Sequence, residues 1–138
     1  MLELSKLKVP VIAIVIGEGS SGGALALGVG NQVFMLENAI YSILSPEGYA
    51  SILWKDSSRT KEAAEKMKLT AKDLYELKII DKIIKEPKGD IEESFLKVTK
   101  SLRKEIQKSI EERKNKKLDE ILEERYQKFR NMGEYKIL

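Results

Sequence analysis

Three observations predict an α/β fold for this chain of 138 residues. Val9 to Ile16 is a continuous, largely β-branched run without polar alternation, the pattern of a strand buried on both faces. Gly17 to Gly30 follows it and holds six of the nine glycines, so strand, glycine turn and helix start succeed one another. From Asp90 onward, apolar residues recur at spacings of three and four among Lys, Arg and Glu, the pattern of amphipathic helices.

In residues 1–8, Leu2, Leu4 and Leu7 share a helical face and read as the last turns of an element begun earlier, so the chain is expected to start within a domain. Pro10 sits at the start of the first strand, where a missing donor is tolerated. Beyond the glycines, Gln32–Glu37 and Ala39–Leu44 read as two short strands separated by Asn38. Ser45, Pro46 and Glu47 then open a helix as N-cap, first helical residue and dipole partner, running to Trp54 or Lys55. Asp56-Ser57-Ser58 reads as a loop, and Thr60 as the cap of a helix reaching Met67. Thr70 with Asp73 is a second capping signature, for a short helix through Leu77. Ile79 to Ile84 forms a last strand, closed by the turn Glu86-Pro87-Lys88-Gly89. The first long helix places Ile91, Phe95, Val98, Leu102, Ile106 and Ile110 on one stripe, and a second repeats the pattern with Leu118, Ile121, Leu122, Tyr126 and Phe129 before Gly133. These two helices are expected to pack as a hairpin or against a partner. The division is therefore residues 1–89 for the α/β region and 90–138 for a helical extension.

The net charge is +3, with basic and acidic residues interleaved, which argues against nucleic-acid binding. Residues 1–54 carry Lys6 and Lys8 against Glu3, Glu18, Glu37 and Glu47, a balance of −2, so the remainder carries +5. No cysteine is present, which excludes disulfides, thiolate nucleophiles and cysteine metal sites. Histidine is absent too, and with it the usual neutral-pH base and the commonest metal ligand. No metal site is expected. No run is apolar over a membrane-spanning length and the start lacks signal-peptide character, so a cytoplasmic protein without membrane contact is expected.

The glycine stretch fits three chemistries. Gly17-Glu-Gly19-Ser-Ser-Gly22 spells G-x-G-x-x-G, with Glu37 at the end of the next strand where a dinucleotide fold keeps its ribose carboxylate. Only about ten residues separate Gly22 from that strand, however, whereas a β-α-β crossover takes a dozen or more. Gly19-Ser20-Ser21-Gly22-Gly23 also spells the G-x-S-x-G nucleophile elbow, but Ser21 has no histidine to activate it. The third reading uses backbone: N–H groups of Gly22, Gly23 and Ala24 at a helix start can meet one oxygen, with no side chain to hinder an acyl or ureido group. Against all three stands a purely structural role, a tight turn with close helix packing, and local pattern alone does not decide. Glu18 reads as a dipole partner, and Tyr41, Tyr49 and Trp54 as core or interface aromatics.

Taken in order, Val9-Pro-Val11, Ile16 to Gly30, Tyr41-Ser-Ile-Leu-Ser-Pro-Glu-Gly48 and Ala50-Ser-Ile-Leu-Trp-Lys55 resemble the carboxyltransferase α subunit of bacterial acetyl-CoA carboxylase, most specifically from Val9 to Lys55. Ala63-Ala64, Leu74, Glu76 to Asp81, Ile84, Glu86-Pro87 and Arg125 to Arg130 with Met132-Gly133 extend the likeness over nearly the whole chain. Ser20 and Tyr49 depart from the family's usual residues. The resemblance is to the family's C-terminal part and implies a crotonase-like superhelical β-β-α fold with C-terminal amphipathic helices.

It further implies carboxyl transfer from carboxybiotin, held on the biotin carboxyl carrier protein, to acetyl-CoA, giving malonyl-CoA for fatty acid synthesis. The implied partners are the carrier protein, acetyl-CoA and a separate β subunit bearing the only zinc, in an α2β2 assembly. Carried over by position, Gly22 and Gly23 match the family's oxyanion-hole glycines and are the catalytic candidates. Gly19, Gly22, Gly23 and Ala24 are the cofactor-binding candidates. Such a half-chain is expected to be inactive alone. Two other readings remain at this point: a non-catalytic partner-binding module and, third, a nucleotide-binding domain.

Overall fold

The computed structural model describes residues 1–133. In order the elements are α1 (Leu2–Ser5), β1 (Ile12–Val15), β2 (Glu18–Ser20), α2 (Ser21–Leu27), β3 (Gln32–Leu36), β4 (Ile40–Ser42), α3 (Pro46–Trp54), a 3-10 turn (Ser57–Arg59), α4 (Thr60–Met67), α5 (Ala71–Glu76), β5 (Lys82–Ile84), α6 (Ile91–Arg113) and α7 (Leu118–Arg130). The chain is mixed α/β with two small parallel sheets, one ordered β1-β3-β5 and the other pairing β2 with β4.

Central β3 carries the core. Val33, Phe34, Met35 and Leu36 are all buried, as befits a strand with neighbours on both edges, and Ala71, Leu74, Ile80 and Ile84 pack with them. Val98, Leu102 and Ile106 of α6 lie against this cluster, so the long helix is docked by the middle of its apolar stripe. Its first turns are not: Ile91 is 87% and Phe95 65% exposed, and Ile110 near its end is also exposed. The uniform stripe expected for α6 thus divides into a packed middle and open ends, because the small sheet beneath is shorter than the helix.

The local signals act as their chemistry dictates. Ser45 caps α3 by accepting from the Gly48 amide at 3.2 Å, with Pro46 at the first turn. Thr70 caps α5 through the Asp73 amide, and Asp90 caps α6 through the Glu92 and Glu93 amides. Four expectations need correction. Thr60 is the first helical residue of α4 rather than its cap, because its hydroxyl donates backward to the Ser57 carbonyl at 2.8 Å and closes the 3-10 turn found where a loop was expected. The Val9–Ile16 run pairs only from Ile12 to Val15, since the Val11 carbonyl already serves Asn31 and Gln32 where the chain enters β3. The Ile79–Ile84 run pairs only from Lys82, because Ile79 and Ile80 donate to Leu74 and finish the turn out of α5. Finally, Glu18–Ser20 is not part of a turn but strand β2, in register Glu18 with Ile40, Gly19 with Tyr41 and Ser20 with Ser42.

The two C-terminal helices meet through charge. Arg113, itself buried, donates from Nε to Glu124 at 2.8 Å, and Lys116 adds a second bond to that carboxylate at 2.6 Å. Burial alone would raise the Glu124 pKa, but the bonds from Lys116 and Arg113 outweigh it and hold the group below its ordinary value. From α7, Arg125 reaches under the body at 2% exposure and donates to the carbonyls of Leu4, Ser5, Leu7 and Val9 and to Asn31 Oδ1, at 2.8 to 3.2 Å. Asn31 in turn accepts from the Val11 amide and donates to the Ile121 carbonyl. A guanidinium that, among the described residues, hydrogen-bonds to no carboxylate is thereby satisfied by neutral acceptors, which offsets its desolvation and pins residues 4–11 to α7. Sequence reasoning missed this clasp. Its signal was there: Arg125 lies one turn beyond Ile121, on the face the apolar pattern assigns to packing.

Candidate functional site

The site is the junction of β2 and α2. Ser20 ends β2 in an extended conformation and is the N-cap of α2, yet it supplies no side-chain cap. Its hydroxyl instead lies 3.2 Å from that of Ser42 across the β2–β4 pair. Ser21 makes the sharp corner at φ +66°, a left-handed conformation unusual outside glycine. Gly22 and Gly23 then form the exposed first turn of α2, where backbone N–H groups have no intrahelical acceptor and no capping side chain covers them.

The six glycines of the stretch do different work. A Cβ on Gly30 would come within 2.8 Å of the Val11 carbonyl oxygen and 3.2 Å of that of Gln32. On Gly28 it would collide with the Tyr41 hydroxyl, which donates to the Ala24 carbonyl at 3.3 Å. On Gly19 it would lie 3.2 Å from both Tyr41 Cδ2 and Val15 Cγ1. These three glycines are accounted for by close packing. At Gly17, Gly22 and Gly23 a Cβ would meet nothing within 4 Å, and none of the three has a left-handed φ. Neither packing nor backbone conformation in the folded chain asks for glycine at 22 and 23.

Among the sequence-designated residues, Gly22, Gly23 and Ala24 come together at the start of α2, while Gly19 sits one corner earlier within β2. Burial raises the pKa of Tyr41, half-buried below α2, above its ordinary value. A cleft of about 580 Å³ runs along β1 and β2 to Ala24, Leu27 and Gly28, and a smaller one of about 330 Å³ lies on the other side of Tyr41, between Leu25, Ile43 and Tyr49. A larger one, about 1000 Å³, lies away from the glycines between α1 and α7. Tyr49 stacks edge-on against Trp54 at 5.5 Å, with the Arg59 guanidinium 4.1 Å from the centre of the indole, so these contacts tie α3 to the 3-10 turn.

The dinucleotide geometry is not formed. Gly17 to Gly19 lead into a paired strand instead of a phosphate loop, and Glu37 is taken by Lys85 at 2.6 Å and by the Glu86 amide at 3.1 Å, which lower its pKa. Ser21 does stand at an elbow between strand and helix, but without a histidine in the chain no base of that kind serves it. Among the described residues, no cluster of His, Asp or Glu could hold a metal, and no helix is long and apolar enough to cross a membrane.

What the fold and site define is an α/β protein that presents bare, side-chain-free amides at a strand-to-helix corner. The family described as acetyl co-enzyme A carboxylase carboxyltransferase-like matches residues 1–133, and the chain belongs to it. It is 59% identical over 132 residues to the acetyl-coenzyme A carboxylase carboxyl transferase subunit alpha of Clostridium perfringens, covering 96% of this chain and 49% of that protein. To the same subunit of Clostridium acetobutylicum it is 54% identical over 135 residues, covering 98% and 49%. It is also 52% identical over 132 residues to a protein of Natranaerobius thermophilus named as subunits beta/alpha, of which it covers 22%. The chain thus spans about half the length of the α-subunit relatives. Those shares bear out the family read from the sequence and lend no support to its placement in the C-terminal part.

Proposed function

We propose that this chain supplies the carboxybiotin side of a carboxyltransferase, within a crotonase-like fold of which residues 1–89 are one part and residues from 90 onward a helical extension, packed on it as far as 133, while residues 134–138 lie outside the described residues. The relatives' names point to acetyl-CoA carboxylation, the first committed chemistry of fatty acid synthesis in the cytoplasm. The partners in this reading are a β subunit, with which the α subunit forms α2β2 and which holds the zinc, the biotin carboxyl carrier protein, and acetyl-CoA. The fused beta/alpha relative favours the first of these, since two polypeptides joined in one chain work side by side.

The observation that carries the reading is the open space over Gly22 and Gly23. Glycine in a helix is less favourable than alanine by roughly 0.5–1 kcal/mol. Two of them kept where folding does not require them leave room for a group from outside. The amides of Gly22 and Gly23 would donate to the ureido oxygen of biotin, Ala24 would border the ring, and Gly19 lets β2 close on Tyr41 so that the corner is placed. Carboxybiotin, when bound, brings the carboxyl to be transferred and a ureido nitrogen able to take up the acetyl proton. The protein's part is then to hold negative charge on an oxygen with preset dipoles, a task that calls for no side-chain base.

A chimera tests this. Residues 1–133 replace the matching stretch of a Clostridium α subunit, and the purified α2β2 complex is assayed for biotin-dependent decarboxylation of malonyl-CoA, the transfer run in reverse. Turnover near that of the parent is expected. A chimera that assembles with β and shows none would overturn the proposal.

A further inference from the structure

On the reading that the Gly22 and Gly23 amides donate to the bound group, we infer that Tyr41 is a positioning residue for them: its phenol is the post on which α2 rests. Helix α2 is poorly held by its own side chains. It has seven residues, none of them buried, and no side chain caps it. Helices that short are marginal without packing from outside. Tyr41 reaches it from a fixed base. In β4 it stands in register with Gly19 of β2, and its own amide donates to the Leu69 carbonyl at 3.2 Å, so its backbone is held between β2 and the segment ahead of α5.

Glycine receives the phenol at both ends. A Cβ on Gly19 would lie 3.2 Å from Cδ2 of the ring, and one on Gly28 would collide with the hydroxyl and lie 3.4 Å from Cζ. The hydroxyl donates to the Ala24 carbonyl at 3.3 Å, an oxygen that also accepts the Gly28 amide at 2.9 Å. Ala24 directly follows Gly22 and Gly23, so the grip on the helix lies one residue beyond the two amides. Tyr41 also lines both clefts beside α2, so a shortened side chain leaves the helix over a gap rather than over a replacement contact. A helix rises about 1.5 Å per residue, which makes α2 a lever about 10 Å long. A shift of its seat is passed to the first turn, and misplacing a catalytic group by about 1 Å can cost on the order of a hundredfold in rate.

The test is a double-mutant cycle. Tyr41→Phe, Gly28→Ala and the two together are made in this chain and in the chimeric α2β2 enzyme. Tyr41→Phe empties the place of the hydroxyl, and Gly28→Ala alone sets a methyl group against it. In the double variant the methyl takes the vacated place, 3.4 Å from Cζ, while its 3.1 Å approach to the Ala24 oxygen is common to both Gly28→Ala variants. Each single change is expected to move the Gly22 and Gly23 amide resonances of this chain and to lower kcat for biotin-dependent malonyl-CoA decarboxylation about tenfold, with KM for malonyl-CoA within about twofold. The double variant is expected to return the resonances toward those of the parent, and kcat to within about threefold of it. A tyrosine that only stabilised the fold would lower Tm and leave the kcat of the assembled enzyme unchanged. Unmoved resonances in Tyr41→Phe, parental kcat in that variant, or single losses that add instead of cancelling would overturn the inference. The resonances are read without biotin or β subunit, so a parent chimera without turnover counts against the proposed reaction, while the resonances still decide whether Tyr41 seats α2.

Discussion

The two ends of α2 carry the same residue for opposite reasons. At its C-terminal end, Gly28 and Gly30 are glycines because Tyr41 and the Val11 carbonyl leave no room for a methyl group. At its N-terminal end, Gly22 and Gly23 face open space with ordinary backbone angles, while the one left-handed position, φ +66°, is given to Ser21. Glycine is absent where conformation favours it and present where neither conformation nor packing asks for it. A glycine-rich motif is therefore not uniform, some of its glycines being packing devices and others left open, and only the neighbours of each missing Cβ tell them apart.

Substitutions can break that distinction, and Gly30→Ala should do the most damage. Both neighbours it would press on are backbone oxygens at 2.8 and 3.2 Å, which have little room to retreat, so urea unfolding should show a loss of about 3 kcal/mol. Gly28→Ala meets the end of a side chain at its nearest approach, with the Ala24 carbonyl oxygen 3.1 Å away as its one tight backbone contact. Tyr41 can swing aside at the cost of its bond to Ala24, and a loss of about 1 kcal/mol is expected. Ser21→Gly should act in the other direction, relieving the left-handed corner and stabilising the chain by about 1 kcal/mol. If Ser21→Gly were instead strongly destabilising, the corner would not be strained and the contrast between the two ends would weaken.

The smallest effect concerns pH and lies outside the stretch. Glu124 has a folded pKa below its ordinary value, so its stabilising contribution is full above 4.5 and is lost as pH falls through the lowered value. Acid titration of Tm should show that loss in the parent chain and a shallower one in Glu124→Gln. The differences between the glycine variants and the parent, being steric, should stay constant over the same range.

Much of this was legible in the residues themselves. Caps at Ser45 and Thr70 act through their immediate neighbours, and so local sequence places them correctly. Strand ends were not legible, because Val11 and Ile79 are withdrawn from their strands by bonds to Asn31 and Leu74, which the order of residues along one strand does not display. Strand β2 escaped notice for a similar reason: Glu18-Gly19-Ser20 has no β propensity and exists through its pairing with β4. The narrowing from six glycines to Gly22 and Gly23 came first from the family likeness. The geometry adds an independent support for it, since local pattern weighed a structural role equally and packing now assigns that role to Gly19, Gly28 and Gly30.

The most direct measurement of the central claim pairs stability with turnover in one set of variants. Gly22→Ala and Gly23→Ala are made in this chain and in the chimeric α2β2 enzyme. The folded chain should be unchanged or more stable by about 0.5 kcal/mol in urea, with α2β2 assembly intact by sedimentation and biotin-dependent transfer reduced at least a hundredfold. Full transfer activity in both variants would contradict the assignment of these two amides.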